Sequence, residues 1–224
     1  MKRIGLVMLG LMAVSVQAQT FYLRGDFNSW GTTDLVDNGN GTFSATVAGA
    51  PGASLKFKIA TADWATAYPG SDVAAAFDST GSFTANFNPA PLADGWSPTG
   101  ARVGYKDPGQ FGWDIMGSFN GWSTPVATLS LQGNGVYSGT YTVPTAGSYE
   151  FKFRKAGDWG VSIGADFGNG AANAVLATLE ANQTMQFVLD LPNGRWETMV
   201  VPEPSSLALV GLGFAGLLSL RRRQ

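Results

Sequence analysis

Tryptophan and lysine side chains recur at matching positions in the two halves of this chain. They are Trp30, Lys58 and Trp64 in the first half, and Trp122, Lys152 and Trp159 in the second. Indole offers a large, rigid apolar face, and an ammonium group on a flexible stem donates hydrogen bonds. Together they suit a ligand with flat C–H faces and a rim of hydroxyls, which is what a sugar ring presents. The residue types therefore favour carbohydrate binding over a reaction.

Core packing is the alternative role for these residues. Tryptophan is highly buried on average, and a lysine that alternates along a strand often only covers the wet face. Trp30 and Trp122 follow Phe-Asn-x in a turn-like context, and the later tryptophan of each half follows an aspartate beyond a strand. Loop side chains are more often exposed, which favours binding for these four tryptophans. Trp113 and Trp196 lie inside predicted strands, and we assign them to packing.

An internal repeat places these residues. The sequence GDFNSW at residues 25–30 is matched by GSFNGW at residues 117–122, 92 positions downstream, and further matches follow with offsets of up to 95. Each repeat of about 90 residues has the size of a small domain. We therefore predict two similar domains, at residues 19–107 and 108–200, with a short rigid junction near residues 106–109.

Short strands separated by turn residues indicate an all-β protein. The expected class is two tandem Ig-like antiparallel β-sandwiches, with an N-terminal signal helix and a short hydrophobic C-terminal helix. Asn193-Gly194 predicts a tight hairpin. Residues 171–180 are expected to form a loop with at most one short turn. The predicted strands cover residues 21–24, 42–47, 55–59, 83–87, 102–105, 113–116, 136–143, 148–154, 184–191 and 195–200.

Composition excludes several functions. The chain has no cysteine and no histidine, which removes thiol chemistry and the commonest general base. Without the basic and acidic residues of the two terminal segments, 9 basic and 15 acidic residues remain, a net charge of −6. An acidic body without a basic patch argues against nucleic acid and favours a neutral partner.

Catalysis has little support in the sequence. Hydrolysis of a glycosidic bond needs two carboxylates across a cleft, and the only carboxylate that both repeats share near a motif is Asp63 in one and Asp158 in the other. We therefore predict that the protein is not an enzyme and has neither a cofactor nor a metal site. Calcium at glycine-flanked aspartates remains open, without an EF-hand spacing: Asp72, Asp78 and Asp166.

Both ends of the chain have the features of targeting segments. Residues 1–18 combine a basic start, an apolar stretch and small residues before a cleavage site at Ala18. At the other end, Pro202-Glu203-Pro204 precedes an apolar run of 14 residues and three arginines. A helix of that length spans roughly 21 Å, short of the ~30 Å hydrocarbon core, which suits transient membrane insertion.

The C-terminal segment resembles the PEP-CTERM sorting signal of Gram-negative bacteria. In that family a membrane enzyme, exosortase, is thought to cleave near the motif and to release or re-anchor the protein. The resemblance implies export across the inner membrane to the cell envelope, the outer surface or an exopolysaccharide matrix. A plain single-span anchor is the alternative.

The repeats resemble the glycogen-binding domain of the AMP-activated protein kinase β subunit, a family-48-type carbohydrate-binding module. The shared motifs are GSFNGW, YEFKF and GDW, and they imply an α-glucan held by the two tryptophans and the lysine of each repeat. The stretch after Trp159 is also similar to starch-binding modules of outer-membrane starch-utilisation proteins. That similarity implies a role for Asn173, and for Tyr68 where the second repeat has Ile163. The competing hypothesis is a structural or adhesion protein whose domains bind other proteins.

Overall fold

The computed structural model describes residues 19–202, except 91, 92, 108, 110, 178 and 179. Within this part the chain is all-β with antiparallel sheets, as predicted. The two helices predicted at the ends of the chain lie outside the described residues, as do Ala18, Glu203 and Pro204. No helix in the described part is long and apolar enough to cross a membrane.

The first repeat forms two four-stranded sheets. One has the order β2-β1-β5-β6 and the other the order β3-β4-β7-β8. The strands are β1 (Tyr22–Gly25), β2 (Thr33–Asp34), β3 (Val36–Asp37), β4 (Phe43–Ala48), β5 (Ser54–Ala60), β6 (Ala67–Ala76), β7 (Ser82–Asn88) and β8 (Arg102–Tyr105).

The second repeat follows the same order with two changes. A single strand, β10, takes the place of β2 and β3, pairs first with β9 and then with β11, and so joins the two sheets. The sheet order is β13-β12-β9-β10-β11-β15-β16, with β14 paired to β12. The strands are β9 (Trp113–Gly117), β10 (Ala127–Gly133), β11 (Val136–Val143), β12 (Tyr149–Lys155), β13 (Asp158–Ile163), β14 (Ala174–Leu176), β15 (Gln183–Asp190) and β16 (Arg195–Val200).

Aromatic side chains fill the space between the sheets of each repeat. In the first repeat, Phe57 of β5 meets Phe83 of the opposite sheet with ring centroids 5.0 Å apart. In the second, Phe151 of β12 meets Phe187 at 5.2 Å and Trp196 at 5.4 Å. These residues alternate with outward-facing ones along their strands, so each pair of sheets packs face to face around its own aromatic core.

Backbone contacts hold the two repeats together. Ser97 and Trp196 exchange backbone hydrogen bonds of 2.8 and 2.7 Å, and the Tyr105 N–H donates to the Leu191 carbonyl at 2.9 Å. Gly104 faces the turn that ends at Gly194, and a Cβ on Gly104 would collide with that backbone. Glycine is therefore required for this close approach of β8 to the turn between β15 and β16.

Several strands were absent from the sequence prediction. The strand β6 contains Pro69 and Gly70, which are poor strand residues, and β13 contains Trp159, which we expected in a loop. Strand β14 lies in the segment 171–180, where we expected a loop. The strand β10 was also missed, whereas the strands at residues 102–105, 136–143 and 195–200 have the predicted bounds.

Candidate functional site

The repeated tryptophans form two matching pairs. Trp30 and Trp64 have ring centroids 6.1 Å apart at an interplanar angle of 50°, and Trp122 and Trp159 have centroids 6.0 Å apart at 51°. Trp64 is 42% exposed and Trp159 46%, whereas the first ring of each pair is half-buried. The arrangement is thus the same in both repeats, although the loops between the two tryptophans differ in length.

The first tryptophan of each pair ends a tight turn. The Trp30 N–H donates to the Gly25 carbonyl at 2.7 Å, and the Trp122 N–H donates to the Gly117 carbonyl at 3.0 Å. Both tryptophans have a left-handed backbone, with φ of 61° and 63°, and Trp64 has φ of 63°. Bulky residues rarely adopt this conformation, which costs on the order of 1–3 kcal/mol. Strain of this kind clusters at functional sites, and it occurs at three of the four matching tryptophans.

The other residues of the GxFNxW motif build this turn. The ring of Phe27 lies against Gly25 where a Cβ would otherwise be, and Phe119 lies against Gly117 in the same way. The Asn28 side chain accepts from the Gly25 N–H at 3.1 Å and donates to the Gly31 carbonyl at 3.1 Å. The motif therefore encodes a turn that presents its last residue.

The shared aspartate holds the turn of the second tryptophan. Asp63 accepts from the Thr61 hydroxyl at 2.7 Å and the Ala65 N–H at 3.0 Å. Asp158 accepts from the Gly160 N–H at 2.7 Å and pairs with the Lys155 ammonium at 3.0 Å. Hydrogen bonds from Thr61 lower the pKa of Asp63, and the bond from Lys155 is the largest cause that lowers the pKa of Asp158. A structural role accounts for this shared carboxylate.

An arginine lies behind the second tryptophan of each pair, and sequence reasoning missed both. The guanidinium carbon of Arg24 is 4.0 Å from the Trp64 ring centroid, and that of Arg154 is 5.1 Å from the Trp159 ring centroid. Such contacts between a cation and a ring face are attractive. Arg24 interrupts an apolar run at the start of the first repeat, whereas Arg154 alternates with Glu150 and Lys152 and so gave no such signal.

The two arginines come from different strands. Arg24 lies on β1, whereas Arg154 lies on β12, which is the counterpart of β5. Arg24 donates to the carbonyls of Trp30, Thr61 and Ala62 at 2.8, 3.0 and 3.0 Å, which ties the two tryptophan turns together. Arg154 instead makes a two-bond ion pair with Asp114 at 2.9 and 2.7 Å. In both repeats a guanidinium therefore contacts the second tryptophan, but it comes from a different strand and is held by different partners.

The predicted lysines have different surroundings. Lys58 is only 16% exposed, donates to the Gly70 carbonyl at 2.6 Å and lies 3.5 Å from Asp72. Lys152 lies on the same face of β12 as Arg154, and its ammonium makes no hydrogen bond or ion pair with any residue that the structure describes. The second repeat therefore has the lysine that is available to a ligand.

The two residues suggested by similarity to starch-binding modules lie in different places. Asn173 donates to the Glu150 carboxylate at 2.9 Å, and Glu150 alternates with Lys152 along the outer face of β12. Tyr68 packs against Phe21 and Phe87 at centroid distances of 5.9 and 6.0 Å. The structure thus brings Asn173 to the tryptophan-bearing face of the sheet. Tyr68 does not reach that face, because its partner across β5 and β6 is Ile59, which points into the core.

The structure also has clefts that no paired tryptophan lines. One of about 370 Å³ is walled mainly by asparagines and two arginines between the turn that precedes β4, the strands β7 and β8, and the turn that follows β15. Within the part of the chain that the structure describes, no group of three or more acidic residues could hold a metal ion. Asp72 pairs with Lys58, and Asp78 and Asp166 accept hydrogen bonds from nearby turns.

Comparison with known proteins identifies the C-terminal segment. Residues 200–223 match the PEP-CTERM protein-sorting motif. This motif indicates an exosortase-sorted secreted protein, exported across the inner membrane and sorted to the cell surface. No curated protein matches the chain. The comparisons lend no support to the resemblance with glycogen- and starch-binding modules.

Proposed function

We propose that the protein is a non-catalytic polysaccharide-binding protein, and that each repeat stacks a neutral glucan on its tryptophan pair. The observation that carries this proposal is the matching geometry of the two pairs, with centroids 6.1 and 6.0 Å apart and one ring of each pair exposed. We also propose that the two repeats are tandem Ig-like β-sandwich domains. An α-glucan is the ligand that the resemblance implies.

The chemistry of the second site supports this proposal in detail. Trp159 presents an apolar face that Arg154 supports from behind, and Lys152 offers donors on the same outer face. Glu150 and Asn173 add an acceptor and a further amide. A sugar needs this combination of one flat apolar surface with several hydrogen-bonding groups around it.

An adhesion protein that binds other proteins is the second candidate. The observation on its side is two exposed apolar residues, Val175 on β14 and Leu131 on β10, at 60% and 53%. Electrophoresis of the mature chain through gels with and without soluble starch or glycogen separates the two functions. Retardation by the polysaccharide supports glucan binding, and unaltered mobility in both gels contradicts it.

Binding should not depend on pH between about 5 and 8. The chain has no histidine, and the pKa of Asp158 lies below its ordinary value of 3.8. A lowered pKa in the folded protein means that the ionised turn is stable above roughly pH 4 and is lost as the pH falls further. Titrations of glucan across this range test the expectation, and a midpoint between pH 5 and 8 would contradict it.

The sorting tail should be absent from the mature protein. We propose delivery to the envelope or exopolysaccharide matrix of a Gram-negative bacterium, with exosortase acting on the tail after transient membrane insertion. The expected intact mass of protein from its native host corresponds to a chain that begins near Gln19 and lacks residues 207–223. A mass that includes the terminal arginines would instead favour a plain membrane anchor.

A further inference from the structure

The edge strands of the two tryptophan-bearing sheets meet along one seam. The Ser71 N–H of β6 donates to the Asp166 carboxylate at 3.2 Å, and the Asn169 N–H donates to the Asp72 carbonyl at 2.6 Å. Asp166 and Asn169 lie in the loop that follows β13. The edge strand of the first repeat therefore lies beside its counterpart in the second.

A groove of about 200 Å³ lies on this seam. Its walls include residues from both repeats, namely Asp26, Lys56 and Ala74 from the first and Lys155, Asp158 and Gly160 from the second. It is smaller than the roughly 300–1,000 Å³ of pockets that enclose a small molecule. A groove of this size can contact a short stretch of a polymeric ligand without enclosing it.

Two residues that line the groove flank a paired tryptophan in the sequence. Asp158 and Gly160 are the immediate neighbours of the exposed Trp159. On the other wall, Lys56 points outward from β5, and Lys58 follows two residues later on the same face without lining the groove. Lys58 is paired across the sheet with Arg24, whose guanidinium supports Trp64. Of these two lysines, Lys56 lines the groove, whereas Lys58 is engaged by Gly70 and Asp72.

We infer that this groove is a third contact for the polysaccharide, through which one glucan chain runs from the second tryptophan pair to the first. The inference rests on the proposed function and assigns its ligand class, a long neutral chain. The groove contains two lysines and two aspartates, so its charges balance. Lys56 is exposed, and its ammonium makes no hydrogen bond or ion pair within the described residues, so it can donate to a hydroxyl.

A glucan chain that occupies both tryptophan pairs binds more tightly than a short glucan that occupies only one. Once one pair is occupied, binding at the other is intramolecular, and avidity exceeds either single affinity by roughly 10²–10⁴. Titration calorimetry of the mature chain should therefore give a much higher affinity for amylose than for maltotriose. We expect one amylose chain for each protein molecule.

The variant Lys56→Ala tests the groove itself. Loss of one hydrogen-bond donor should weaken amylose binding by about three- to tenfold and leave maltotriose binding unchanged. Lys106→Ala, which removes an exposed lysine away from the groove, should change neither. If wild-type protein binds both glucans and Lys56→Ala affects them equally or not at all, the groove has no such role. If wild-type protein binds neither glucan, the proposed function itself is wrong.

Discussion

Asp114→Ala should destabilise the protein by about 3–5 kcal/mol. The Asp114 side chain is 4% exposed and that of its partner Arg154 is 10% exposed, so the variant leaves a buried cation without its counterion. Hydrogen bonding to Asp114 is also the main cause that raises the pKa of Arg154, so this cation stays charged at any accessible pH. Urea denaturation of the variant and the wild type gives the difference in free energy of unfolding.

Two further variants show whether the buried pair causes the effect. Lys155→Ala breaks a more exposed pair, whose side chains are 31% and 47% exposed, and should cost less than about 1 kcal/mol. The double variant Asp114→Val/Arg154→Met replaces both charges with apolar groups and should recover most of the stability. It should still bind glucan more weakly, because Trp159 loses the guanidinium behind it. Equal stability of Asp114→Ala and wild type would contradict this account.

Trp122→Ala and Trp159→Ala should each weaken glucan binding by about 1–3 kcal/mol, a range measured for aromatic stacking on nucleobases. Trp159 is 46% exposed, so its removal should change stability little. Trp122→Ala keeps the strained backbone, with φ of 63°, because alanine also carries a Cβ. Calorimetry with maltoheptaose gives the affinity, and thermal denaturation gives the stability.

Leu131→Ala is the matched control for these variants. Leu131 is 53% exposed on β10, within the second repeat, and makes no part of the tryptophan pair. Its loss should affect neither binding nor stability appreciably. If the tryptophan variants lose much thermal stability while glucan binding is unaltered, the rings belong to the core.

The repeat and most strands were predictable because their signals are local. Alternation in LKFKI and YEFKF reflects one buried and one wet face, and both segments form the predicted strands. Pairing across the sheet explains the strands that were missed, since β6 is held by β5 in spite of Pro69 and Gly70. Trp113 and Trp196, which were assigned to packing, are buried.

The supporting arginines could not be placed from the sequence. Arg24 and Arg154 do not occupy matching positions in the repeats, so comparison of the two copies does not reveal them. Only the fold shows that neighbouring strands bring each guanidinium under the second tryptophan. The spacing of Lys58 likewise gave no sign that Gly70 and Asp72 would engage it.

Indole N–H resonances test the central claim most directly, because the chain has 7 tryptophans that single substitutions can assign. In heteronuclear spectra of the mature protein titrated with maltoheptaose, we expect four signals to shift, those of Trp30, Trp64, Trp122 and Trp159. The signals of Trp113 and Trp196 should stay in place, because both side chains are buried. Saturating glucan that moves none of the four signals would contradict the assignment of the tryptophan pairs as the binding surface.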